Sequence, residues 1–89
     1  MRLIKNARYL FLDRDGVINK KAPEHEHITS IDDFIILPKV KEAIDMCVQN
    51  GYKVIVITNQ RNVPKITYDL IHTHMKKQLP GIDAVYVCS

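Results

Sequence analysis

Two carboxylates two residues apart, Asp13 and Asp15, follow directly on the apolar run Tyr9-Leu10-Phe11-Leu12 and precede Gly16. A strand that ends in a turn delivers such side chains to the carboxyl edge of a sheet, where open α/β folds bind their ligands. There one carboxylate can attack phosphorus while the other handles the proton of the leaving group, provided a cation tempers their mutual repulsion. Gly16 allows the sharp backbone turn behind them. A surface turn rich in Asp and Gly explains the bare D-x-D-G equally well. The rest of the chain has to decide.

The elements that position these residues follow from pattern. Tyr9 to Leu12 is apolar without alternation and reads as a strand buried on both faces. From Arg14 to about Ile36 runs a long polar connection, of the kind that forms functional lids or substrate loops. Pro38 opens a helix whose Val40, Ala43, Ile44, Cys47 and Val48 make one apolar stripe, ended by Asn50-Gly51. Lys53 to Ile57 is a second, β-branched strand, and Thr58-Asn59-Gln60 gives it an abrupt polar edge. A second helix is expected from Thr67 as N-cap, with Asp69 in its first turn and Tyr68, Ile71, Met75 and Leu79 facing inward. Pro80-Gly81 stops it, and Ala84 to Val87 forms a third strand.

The order β-α-β-α-β with right-handed crossovers implies an α/β fold, a three-layer Rossmann-like sandwich around a parallel sheet. Parallel strands place their carboxyl ends on one side, so Asp13 and Asp15 should lie near Thr58 and Asn59. A hydroxyl and an amide beside two carboxylates supply phosphate-oxygen contacts that carboxylates cannot make.

Composition narrows the classes. The chain has 89 residues, 46% hydrophobic, which suits one small globular domain over residues 1–89. Its net charge of +3 is spread over the chain apart from pairs such as Lys20-Lys21 and Lys76-Lys77. That pattern and the few aromatic residues argue against nucleic acid as partner, while an anionic substrate would be well received. No apolar run is long enough to cross a bilayer, and no signal peptide is expected from the amino-terminal residues. Cys47 and Cys88 form no disulfide framework, so a reducing, cytoplasmic setting is the default. His25-Glu26-His27 lies in the long loop, where a substrate or metal-edge role is conceivable. His72-Thr73-His74 makes a poor chelate, because helical neighbours two apart point to different faces.

The segments Phe11-Leu12-Asp13-Arg14-Asp15-Gly16-Val17-Ile18-Asn19 and Val56-Ile57-Thr58-Asn59-Gln60 resemble the first two motifs of the haloacid dehalogenase superfamily of phosphatases. The forms D-R-D-G-V-I-N and T-N-Q look most like the D-glycero-D-manno-heptose 1,7-bisphosphate phosphatases and their relatives, the histidinol-phosphate phosphatases. Asp33-Phe34, Leu37-Pro38, Gly51-Tyr52 and Gly81-Ile82-Asp83 fit the same subgroup.

The resemblance implies a covalent mechanism. Asp13 would be the nucleophile that becomes an aspartyl phosphate. Asp15 would protonate the leaving alcohol and then activate water. Magnesium would be held by the Asp13 carboxylate and the Asp15 backbone carbonyl. Thr58 and Asn59 would bind the phosphoryl oxygens, with Arg14, Gly16 and Asn19 of the first motif as further substrate contacts. The substrate would be a small phosphorylated sugar such as the heptose bisphosphate, with histidinol phosphate as the alternative and a nucleotide-end phosphatase as a third reading.

The chain also departs from the family. Members continue past the third strand to a phosphate-clamping Lys or Arg and to a fourth strand with metal-binding acidic residues, so this domain is expected to be incomplete and its own activity is open. A catalytically incomplete fragment with a binding or assembly role is the competing reading. Cys88 matches one ligand of the subgroup's zinc loop, but the others are missing, and zinc is not expected in this chain. Arg61-Asn62-Val63-Pro64-Lys65 stands where relatives carry a small-residue loop, which bears on specificity. Without the fourth strand, the Leu10–Leu12 strand would present an unpaired apolar edge, open to self-association.

Overall fold

A computed structural model describes residues 8–24 and 26–89. Its elements come in the expected order: β1 (Arg8–Leu12), α1 (Val40–Gln49), β2 (Tyr52–Asn59), α2 (Lys65–Gln78) and β3 (Ile82–Cys88). The strands form a single parallel sheet in the order β1-β2-β3. The fold is α/β, as the alternation of elements requires.

Pairing Leu10 with Val54 and Leu12 with Val56 puts these four side chains on one face of the sheet. Both helices pack there: Ile44 of α1, Ile71 and Met75 of α2 and Leu79 just past its end share one core cluster with Val54, Val56 and Ile82. Of the three layers expected, the described residues therefore form two. Strand order follows chain order, so two crossovers of the same hand lie on the same side of the sheet. The opposite face carries Tyr9, Phe11, Ile57 and Tyr86, of which Phe11 and Tyr86 are 60% and 62% exposed.

This also corrects the reading of β1 as buried on both faces. Among the described residues it is an edge strand, covered on one face only. An unbroken apolar run reports the absence of polar residues, not the presence of a covering layer.

Local signals explain most boundaries. Gly51 takes φ +87 just past α1 and its N–H bonds the Val48 carbonyl, as a left-handed C-terminal glycine does. The helix α2 starts two residues before the expected Thr67. Pro64, with φ −60 and an extended ψ, sits at the N-cap, and its carbonyl accepts the Thr67 and Tyr68 N–H groups. Proline suits that position because its fixed φ and missing donor cost nothing there. The stripe on α1 is only partly covered: Ile44 is buried, Val40 and Cys47 half-buried, Val48 exposed.

The connection from Asp13 to Lys39 is folded down onto the core through Ile18, Ile28 and Phe34. Backbone bonds from Lys20 to Ile35 and from Leu37 to Ile18 tie its two ends together. This leaves the turn at residues 13–19 as a firm shelf beside the end of β2.

Candidate active site

Register does the first part of the assembly. With Leu12 opposite Val56, Asp13 emerges level with Ile57, one residue before Thr58 on the adjacent strand. The turn that follows is closed by N–H groups of Val17, Ile18 and Asn19, all directed at the Arg14 carbonyl, and by the Gly16 N–H bonding the Asn19 carbonyl. Gly16 holds φ +84, a left-handed conformation that favours glycine.

A cleft of about 400 Å³ opens over this turn. Asp13, Asp15, Lys21, Glu26, Asn59 and Arg61 line it, together with His27 and the apolar Ala22 and Ile28. The two carboxylates and the end of β2 thus share one cavity. His25 lies outside the described residues.

Asp13 is exposed, and its Oδ1 accepts the Arg14 backbone N–H at 2.9 Å. Asp15 is held much more tightly. Its Oδ1 accepts Arg14 Nη2 at 2.7 Å, Arg14 Nε at 3.2 Å and Asn19 Nδ2 at 3.0 Å, while Oδ2 accepts Gln60 Nε2 at 3.0 Å. Half-burial pushes the Asp15 carboxyl up, but the hydrogen bonds from Arg14, Asn19 and Gln60 and the guanidinium charge outweigh it, so its pKa falls below the usual value. Asp15 is therefore ionised at neutral pH, the form a general base needs. To serve as an acid it has to take up a proton against these donors.

Several expected substrate contacts lie elsewhere. Arg14 is fully buried, with its guanidinium turned inward between Asp15, the Phe34 ring and His72 Nε2, the last 3.0 Å from Nη1. It supports Asp15 from below and does not line the cleft. Asn19 is buried likewise, its amide donating to Asp15 and to the Lys20 carbonyl. Thr58 is buried, and its hydroxyl accepts Gln60 Nε2 at 2.8 Å. Asn59 does reach the cleft, while its Oδ1 accepts the Arg61 backbone N–H. A turn sequence fixes where the backbone goes, but each side chain's direction depends on what packs around it.

Two residues named in the sequence motifs were given no role in this site. Gln60, fully buried, bridges Asp15 and Thr58; its place directly after Thr58-Asn59 was the available signal. Its orientation is fixed, because a flipped amide would set an oxygen against the carboxylate. His72 lies four residues after Tyr68 and three before Met75, which is the spacing of the buried face of α2. It must accept from Arg14, so Nε2 carries no proton. Burial and the Arg14 charge push its pKa down to about 4.

Among the described residues no three His, Cys, Asp or Glu side chains cluster as a metal site. The cleft's oxygen donors include the exposed Asp13 carboxylate. Such a donor fits magnesium, which keeps several waters and is commonly held by one or two carboxylates together with substrate phosphate.

A model of the polynucleotide kinase 3 phosphatase family matches residues 8–85. The D-glycero-D-manno-heptose-1,7-bisphosphate 7-phosphatase of Chlorobaculum tepidum is 34% identical over 62 residues, 70% of this chain and 30% of that protein. The D-glycero-beta-D-manno-heptose-1,7-bisphosphate 7-phosphatase of Pseudomonas aeruginosa is 43% identical over 61 residues, 68% of this chain and 33% of that protein. Among solved structures, the D,D-heptose 1,7-bisphosphate phosphatase of B. bronchiseptica, complexed with magnesium and phosphate, superimposes with a TM-score of 0.81 at 30% identity. The match covers 91% of this chain and 49% of that one. The chain spans about a third of the length of these two curated relatives and about half of the solved one. It belongs to the polynucleotide kinase 3 phosphatase family, among the haloacid dehalogenase-like phosphatases, and is similar to the heptose bisphosphate phosphatases.

Proposed function

We propose that this chain carries the nucleophile and the acid/base of a phosphomonoester hydrolase acting on a phosphorylated sugar such as D-glycero-D-manno-heptose 1,7-bisphosphate. The observation that carries the reading is the shared cleft: Asp13 exposed at the end of β1, Asp15 ionised beside it, and Asn59 at the end of β2. The relatives named as heptose bisphosphate phosphatases support the substrate class.

In this reading Asp15 first takes up a proton from solvent; an Asp13 carboxylate oxygen then attacks phosphorus, the bond from phosphorus to the sugar oxygen breaks, and Asp15 gives that proton to the departing alkoxide. Asp15, again ionised, then takes a proton from water as that water attacks the aspartyl phosphate. Inorganic phosphate leaves and Asp13 is restored. Arg14, Asn19 and Gln60 hold Asp15 in place through both steps. Magnesium, held by Asp13 and the Asp15 carbonyl, would neutralise charge between carboxylate and phosphate.

The test is a magnesium-dependent phosphatase assay on heptose bisphosphate, histidinol phosphate and a 3′-phosphorylated oligonucleotide, with Asp13→Asn as control. Turnover of the heptose bisphosphate that the substitution abolishes supports the reading. Preference for the oligonucleotide moves the substrate toward the nucleic-acid 3′-phosphate that the family's name denotes. Equal background in both proteins supports instead a catalytically incomplete chain.

Among the described residues one edge of β1 has no partner strand; that edge and the exposed Tyr9 and Phe11 beside it support a further property of the same chain, association of two copies through that edge.

A further inference from the structure

A phosphate dianion approaching Asp13 meets a charge problem that the chain's own cleft addresses. Asp13, Asp15 and Glu26 line the cavity as anions. The Asp15 charge is balanced from below by Arg14, whose guanidinium is buried and committed. The lining residues that always carry positive charge are Lys21 and Arg61. Both are exposed, and they come from different segments: Lys21 follows the catalytic turn, and Arg61 lies two residues past the end of β2.

Their placement is structured. The Lys21 stem lies over the turn, its Cδ at ordinary contact distance, 3.8 Å, from where a Cβ on Gly16 would stand. The Arg61 backbone N–H bonds Asn59 Oδ1, which fixes the start of its loop against a residue that itself lines the cleft.

We propose that Lys21 and Arg61 form the anion-binding pair of this cleft and hold the phosphate group of a phosphomonoester over Asp13. Lys21 supplies a compact charge, and Arg61 a planar fork that pairs with two phosphate oxygens. The inference rests on the proposed phosphatase reading and adds the residues that recognise the substrate's anionic group.

Binding of inorganic phosphate, followed by calorimetry in metal-free buffer at fixed ionic strength, tests the pair without turnover. Lys21→Met keeps the stem over Gly16 and removes the charge; Arg61→Gln does the same for Arg61. Each is expected to raise Kd by about tenfold, because each removes one charge-assisted contact. Lys53→Met, an exposed lysine at the amino-terminal end of β2, should leave Kd unchanged. Asp13→Asn should tighten phosphate by relieving repulsion, which locates the anion beside Asp13. Equal weakening by Lys53→Met would mean that net charge alone attracts phosphate, and would overturn the proposal. So would unchanged affinity in Lys21→Met and Arg61→Gln, or no binding by the unaltered chain at millimolar phosphate. None of these results bears on whether Asp13 supports turnover, which the phosphatase assay decides separately.

Discussion

Arg14 and Asp15, neighbours in sequence, form a pair in which the arginine lies beneath and the aspartate faces the cleft. Two guanidinium nitrogens, Nη2 at 2.7 Å and Nε at 3.2 Å, meet the same carboxylate oxygen, and the third bonds His72. The side chain of Arg14 is fully buried and that of Asp15 about a quarter exposed. The turn therefore leaves the Asp13 carboxylate exposed at the cleft and fixes that of Asp15 in a network that reaches to α2.

Truncating Arg14 should be costly. Arg14→Ala leaves Asp15 and His72 without their shared partner and opens a void beside Phe34. A loss of about 3 kcal/mol is expected, read from the midpoint shift in urea unfolding. A loss below about 1 kcal/mol would mean that the network adds little to stability.

Acid should weaken the fold through His72. Its pKa of about 4 in the folded chain lies below the ordinary 6.5, so the unfolded chain binds the proton first as pH falls. Stability then declines from about pH 6.5 to pH 4 and is unaffected by this group above that window. Arg14, Asp69, Asp15 and the Tyr68 ring face the imidazole, with burial and Arg14 lowering the pKa and the two carboxylates raising it. Thermal melts across pH 4–7 should show the slope, and His72→Gln should flatten it. Asp15, also depressed, adds a further loss only below its ordinary value of 3.8.

Gly81 should not tolerate a side chain. A Cβ there would stand 2.8 Å from Ile44 Cγ2 and 3.1 Å from Val48 Cγ2, where α1 crosses the start of β3. Ile44 is buried and cannot move aside freely. Gly81→Ala is expected to lower stability by about 1–3 kcal/mol, measured by chemical denaturation, because overpacking forces shifts of side chains and backbone.

The open edge of β1 should be visible in solution. Sedimentation at rising concentration is expected to show association that Phe11→Lys reduces, since a charge on an edge strand opposes pairing. A sedimentation coefficient independent of concentration in both proteins would remove the edge as an interface.

Much of the site could be read from the chain because its signals are local. The apolar run before Asp13, the β-branched run before Thr58-Asn59, and the glycines at 16 and 51 each specify backbone by steric and hydrogen-bonding rules that act over a few residues. Alternating strands and helices then place two strand ends side by side, which brought Asp13, Asp15 and Asn59 into one cleft.

Packing decided the rest. Whether Arg14 reaches outward to substrate or inward to His72, 58 residues away, depends on a helix that the turn's own sequence does not contain. The same holds for Gln60, which bridges Asp15 and Thr58, and for Lys21 and Arg61, which meet at one cleft from separate segments. Burial likewise belongs to neighbours rather than to residues: Phe11 and Tyr86 are apolar and exposed, while Arg14 is charged and covered. Sequence periodicity marks a face that is able to pack; contacts between distant segments determine which faces do.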